Sequence, residues 1–210
     1  MKTITCYLDF ISPYAYLAFE ASPNSLMGVS HCMVYKPVLF AGMLKHHGQL
    51  GPAEISGKRE WTYRQVVWQA KQLGVPFEMP ASHPFNPLAL LRLAVACSAD
   101  GAPNRYVCET VFKHVWQGGG AADEAGRVQA LTQQLAPQRS VDAPEVKAQL
   151  KANTEEAIAR GAFGVPTFCV DDKLFWGLDA LPMMRAYLDG DQWFDTAWDA
   201  AASIQQGVKR

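Results

Sequence analysis

The chain has 210 residues, 49% of them hydrophobic, and 19 Lys and Arg balance 20 Asp and Glu to a formal charge of -1. That length supports one domain with a real core and room for a helical insertion. The near-zero charge, with no basic block, leaves no electrostatic footprint for nucleic acid or an anionic membrane surface.

From the N-terminus, Thr3 to Phe10 is an apolar, β-prone run that ends directly in a helical pattern at Pro13-Tyr14-Ala15-Tyr16-Leu17. No signal-peptide pattern precedes the strand and no apolar stretch reaches about 18 residues, so a soluble, cytoplasmic protein is expected. Ser12 is a preferred N-cap type, and Pro13 suits the first helical position because its missing N–H has no intrahelical partner there. A hydroxyl at that place stands among unpaired N–H groups at the positive end of the helix dipole, which favours an anion or a thiolate. Most N-cap serines do nothing beyond capping.

Cys32 to Pro37 reads as a second strand. A long stretch with helical periodicity follows, with helices expected over Ser56 to Gly74, Pro84 to Cys97, Asn104 to Trp116, Ala125 to Leu135 and Pro144 to Ala162. Gly118-Gly119-Gly120 and Ala136-Pro137-Gln138-Arg139-Ser140 are the turns between them. Thr167 to Val170 and Lys173 to Trp176 read as two more strands, and a helix is expected from Asp179, an N-cap type. Asp191 to Trp198 completes the pattern with Trp193, Phe194, Ala197 and Trp198 on adjoining helical faces, spacing that by itself favours packing on the chain's own core.

Cys6, Cys32, Cys97, Cys108 and Cys169 are odd in number and contain no C-x-x-C pair. At the helix start Ser12-Pro13-Tyr14-Ala15 offers neither an attacking nor a resolving thiol, which excludes disulfide exchange there. Most of the cysteines sit in apolar runs and read as small core residues. His46-His47 has no companion at metal-ligand spacing, so no metal site is expected.

Gly161 to Val170 places a glycine-punctuated turn and a Val165-Pro166 bond just before an apolar strand, and it resembles a thioredoxin-like cis-proline loop. Together with Tyr7-Leu8-Asp9-Phe10-Ile11-Ser12-Pro13-Tyr14-Ala15-Tyr16-Leu17 and Phe175-Trp176-Gly177-Leu178-Asp179-Ala180-Leu181, this loop resembles the 2-hydroxychromene-2-carboxylate isomerase family, grouped with the kappa-class glutathione transferases on a thioredoxin fold. The similarity extends through Gly51-Pro52-Ala53-Glu54-Ile55 and Tyr63, from about residue 3 to 190.

The resemblance implies an α/β thioredoxin-like fold with a large all-helical insertion between the second and third strands. Residues 1–40 and 160–210 would form the glutathione-binding domain, and 41–159 the insertion. Glutathione would be the cofactor. Ser12 would hold its thiolate, Val165 and Pro166 would pair with its backbone, and Leu178 and Asp179 would take its glutamyl end. Lys36, Asn86 and Trp176 would meet an aromatic carboxylate substrate, with Trp61 and Trp116 as further wall candidates. The implied reaction interconverts 2-hydroxychromene-2-carboxylate and trans-o-hydroxybenzylidenepyruvate in aromatic catabolism, in a homodimer. The alternatives are a kappa-like glutathione transferase and a catalytically silent thioredoxin-like binding or chaperone module.

Overall fold

The computed structural model describes residues 1–205 and 207. Four strands, β1 (Lys2–Leu8), β2 (His31–Pro37), β3 (Thr167–Val170) and β4 (Lys173–Trp176), form one sheet in the order β2-β1-β3-β4. β1 runs parallel to β2, whereas β1 with β3 and β3 with β4 are antiparallel. The β1–β2 crossover is α1 (Pro13–Ser25). Between β2 and β3 lie α2 (Phe40–His47), α3 (Lys58–Leu73), α4 (Leu88–Ala96), α5 (Arg105–Trp116), α6 (Ala125–Leu135) and α7 (Pro144–Ala159). After β4 come a short 3-10 turn (Leu178–Ala180), α8 (Leu181–Leu188) and α9 (Trp193–Ala202).

Strand alternation sends β1 side chains to two separate cores. Ile4, Cys6 and Leu8 join Phe168, Phe175, α1 and α8 in the larger one, which continues through Phe112, Val115 and Trp116 of α5. Phe10, Tyr16 and Phe19 all meet the Phe112 ring, with centroids 4.9, 5.7 and 5.2 Å away, so α1 is clasped between the sheet and the inserted helices. Tyr7 points the other way, into a smaller core with Met43 of α2, Ala157 of α7, Val165 and Cys169. α7, grouped with the insertion by sequence pattern, thus packs on the sheet itself.

The structure differs from the sequence reading at two helices. The helix Phe40–His47 was not expected; Leu39 precedes it with no side-chain cap bond. The region after β4 does not start a helix at Asp179: the 3-10 turn intervenes, and Ala180 stands at the N-cap of α8. Cys32 is exposed while Cys6, Cys108 and Cys169 are buried, and all five thiols are free. The aromatic stripe of α9 covers the chain's own sheet, with Phe194 and Trp198 packed on Phe175 at 6.1 and 5.7 Å. Among the described residues no helix is long and apolar enough to cross a membrane.

Candidate active site

The end of β1 turns through Asp9-Phe10-Ile11 into α1, and Ser12 is the N-cap, with φ -89° and ψ 115°. Its Oγ accepts the Ala15 N–H at 3.2 Å and donates to the Val165 carbonyl at 3.3 Å. The hydroxyl has one proton and two lone pairs, so it is a donor and an acceptor at once, at the positive end of a 13-residue helix. The Val165-Pro166 peptide bond is cis. The Pro166 carbonyl accepts the Gly177 N–H at 2.9 Å and the Thr167 hydroxyl donates to the Gly164 carbonyl at 2.7 Å, so this loop is tied to the turn after β4 and to its own strand.

That turn carries Leu178, packed against the large core, and Asp179, exposed. Gly177 takes φ 95°, and a Cβ there would lie 2.5 Å from Asp179 Oδ1; glycine lets the carboxylate fold back over the turn. The Asp179 charge reaches Tyr14, in the first turn of α1: burial foremost, and this carboxylate second, push the Tyr14 phenol above its ordinary range. The Tyr14 hydroxyl donates to Gln65 Oε1 of α3 at 2.7 Å. Trp176 lies half-exposed across the loop, its ring 4.8 Å from Phe163, and a Cβ on Gly164 would come within 2.6 Å of its Nε1. Ser12, Val165, Pro166, Trp176, Leu178 and Asp179 are thus borne by three segments that the hydrogen bonds and packing around α1 hold together.

Lys36 and Asn86 have internal partners. Lys36 Nζ sits 2.6 Å from Glu156 Oε2, and the Tyr7 hydroxyl donates to Glu156 Oε1 at 2.8 Å, within the cluster between β1, β2 and α7. Asn86 Oδ1 accepts the Leu88 N–H at 3.1 Å at the start of α4, and its own N–H donates to Asp123 at 3.2 Å. Trp116 is fully buried, with Nε1 donating to the Phe10 carbonyl at 3.0 Å, and Trp61 is exposed on α3, so neither joins Trp176 in an aromatic wall.

Four residues near the site carried no role in the sequence reading: Tyr14, Gln65, His83 and Asp9. Asp9 is fully buried, with Oδ1 accepting from Ile11 N at 3.1 Å and Oδ2 from Phe40 N at 2.9 Å. Burial pushes its carboxyl up to about 7, against the pull of the backbone donors. The Asp9-x-Ile11 spacing of an Asx-type turn was the one available signal for it. Among the described residues no group of three or more His, Cys, Asp or Glu is placed to hold a metal ion.

Residues 3–189 match the DSBA-like thioredoxin domain family. Glutathione S-transferase kappa 2 of Caenorhabditis elegans is 25% identical over 207 residues, covering 89% of this chain and 92% of the relative. The 2-hydroxychromene-2-carboxylate isomerase of Sphingobium xenophagum is 28% identical over 201 residues, covering 89% and 98%. A solved structure of 2-hydroxychromene-2-carboxylate isomerase superposes with a TM-score of 0.77 at 22% identity, over 96% of this chain and 100% of that one, a likeness of fold.

Proposed function

The chain belongs to the DSBA-like thioredoxin domain family, and from that premise we propose that it is a glutathione-dependent enzyme. We infer further that it is an isomerase interconverting 2-hydroxychromene-2-carboxylate and trans-o-hydroxybenzylidenepyruvate in aromatic catabolism, cytoplasmic and homodimeric. The observation that carries the reading is the Ser12 hydroxyl at the start of α1, facing the Val165 carbonyl in the place where a disulfide exchanger would need cysteine. Similarity to isomerases and kappa-class transferases over most of the chain supports it.

The donor set suits glutathione. Its thiolate would take the Ser12 hydroxyl and the dipole of α1; its extended backbone would pair with Val165 beside Pro166; its ammonium would meet the exposed Asp179 carboxylate, with the backbone at Leu178 as a further partner. When bound, glutathione supplies a sulfur nucleophile that adds to the conjugated carbon, permits rotation about the resulting single bond, and leaves unchanged. Ser12 must turn its one proton from Val165 toward the sulfur. The hydroxyl and the dipole then stabilise the anion, and the thiol proton passes to solvent. Trp176 and Phe163 offer an aromatic face to a flat substrate. Lys36 and Asn86 would contact its carboxylate only by leaving Glu156 and the start of α4.

Absorbance change with the hydroxychromene carboxylate, with and without glutathione, tests the reading. Turnover only with glutathione supports it, and accumulation of a thioether would make the protein a transferase. No turnover together with no retention on immobilised glutathione would leave a silent thioredoxin-like module. Light scattering at twice the 23.1 kDa chain mass would support the dimer.

A further inference from the structure

We infer that His83, backed by Tyr63, is a positioning residue for Ser12, gripping the Ile11–Ser12 peptide from the inserted helical region. The inference deepens the proposed role of Ser12 and rests on that reading for its functional meaning.

His83 Nε2 lies 2.8 Å from the Ile11 carbonyl oxygen. A carbonyl only accepts, so Nε2 carries the hydrogen. His83 Nδ1 lies 2.8 Å from the Tyr63 hydroxyl oxygen, which is also 2.9 Å from the His83 carbonyl. In the neutral ring, the state that burial favours by lowering the imidazole pKa, Nδ1 accepts the Tyr63 proton. In the charged ring Nδ1 donates to Tyr63, whose proton turns to the His83 carbonyl. Both ring nitrogens and the Tyr63 hydroxyl keep a partner in either state, with the phenol proton directed to Nδ1 in one and to the His83 carbonyl in the other, so titration need not move the ring. Tyr63, Trp116 and Phe85 enclose it, with centroids at 5.4, 5.6 and 6.2 Å.

The peptide so held belongs half to Ser12. Its oxygen takes the His83 N–H, and its N–H donates to the Asp9 carbonyl at 3.1 Å. Hydrogen bonds at opposite ends of one amide polarise and reinforce each other, and they fix the plane from which the Ser12 side chain projects. The preceding carbonyl is held in the same manner, because Trp116 Nε1 donates to Phe10 O at 3.0 Å. Two successive carbonyls before the N-cap therefore accept ring N–H groups that come from the insertion and not from the sheet. The inserted region orients the thiol-stabilising end of α1 as well as covering it.

The test uses a reporter that needs no glutathione. In a Ser12→Cys background, the pH dependence of alkylation at residue 12, followed by peptide mass spectrometry, reads how well the end of α1 stabilises a sulfur anion. His83→Leu should raise the ionisation midpoint of the introduced thiol by about half a unit or more. His83→Gln, which keeps an amide N–H toward Ile11, should stay near the parent, and Tyr63→Phe should fall between. Ring-nitrogen NMR of the unmutated protein should show the Nε2-protonated tautomer. An unchanged midpoint in folded His83→Leu, or an Nδ1-protonated ring, would overturn the inference. If His83→Leu does not fold, an unmoved midpoint in Tyr63→Phe does the same. Failure of the protein to bind glutathione would remove the proposed function and leave the measured midpoints standing.

Discussion

The Ser12 hydroxyl donates to the Val165 carbonyl at 3.3 Å across 153 residues of sequence, so the start of α1 and the cis-proline loop meet through one proton. The same oxygen accepts the Ala15 N–H, which makes Ser12 at once the cap of α1 and a donor to the cis-proline loop. Replacing Ser12 by alanine should reduce glutathione-dependent turnover by roughly 10²-fold, as loss of one preorganised donor does. Loss of the cap should cost about 1 kcal/mol of stability. Steady-state kinetics and urea unfolding separate the two effects. Full activity in the alanine variant would remove Ser12 from the chemistry.

Asp179 makes no cap bond to α8 and is exposed, so removing it leaves no buried group unpaired. Asp179→Ala should raise the Michaelis constant for glutathione, with a smaller change in turnover and unchanged stability. Calorimetric titration with glutathione checks it directly. A variant that binds as tightly as the parent would place the glutamyl end elsewhere.

How much could be seen beforehand follows the range of the interactions. The strands Thr167–Val170 and Lys173–Trp176 and the helix at Pro13 were legible because local pattern and a cap specify them. The helix Phe40–His47 was not: it lacks a side-chain cap, carries Gly42 inside, and buries only Met43. Lys36 was placed correctly on its strand, but its partner Glu156 lies 120 residues away and no periodicity reports it. His83 and Trp116 were illegible for the same reason, since each acts through a backbone carbonyl, 72 and 106 residues distant.

The Lys36–Glu156 pair is partly screened, so its Coulomb energy is modest. Lys36→Met should lower stability by about 1 kcal/mol or less and leave the substrate Michaelis constant unchanged if the ion pair persists during turnover. A rise in that constant at unchanged stability would instead show that Lys36 leaves Glu156 to meet the substrate.

Gly164 has no room for a methyl group, because Trp176 Nε1 would lie 2.6 Å from it. Gly164→Ala should displace the indole at a cost of about 1–3 kcal/mol, shift tryptophan fluorescence, and weaken substrate binding through the lost aromatic face. An unshifted spectrum with normal stability would show that the loop yields instead of the ring.

The remaining prediction concerns pH and Asp9. Its carboxyl is fully buried and raised from 3.8 to about 7, so between those values the folded protein holds a proton that the unfolded chain has released. A raised native pKa gives stability that is fully present below the unfolded value and is lost as the pH climbs through the folded one. Going from about pH 5 to about pH 8, the parent should therefore lose up to about 3 kcal/mol relative to Asp9→Asn, which cannot titrate. The comparison cancels His83, whose lowered pKa is common to both proteins and whose stability is lost in the opposite direction, on acidification. Asp9→Asn should be less stable than the parent near pH 5, because an amide offers one acceptor oxygen where the carboxyl offers two, to Ile11 and Phe40. Urea unfolding of both proteins across the range measures the difference. Parallel curves would mean that the backbone donors of Ile11 and Phe40 outweigh burial and that Asp9 is ionised throughout.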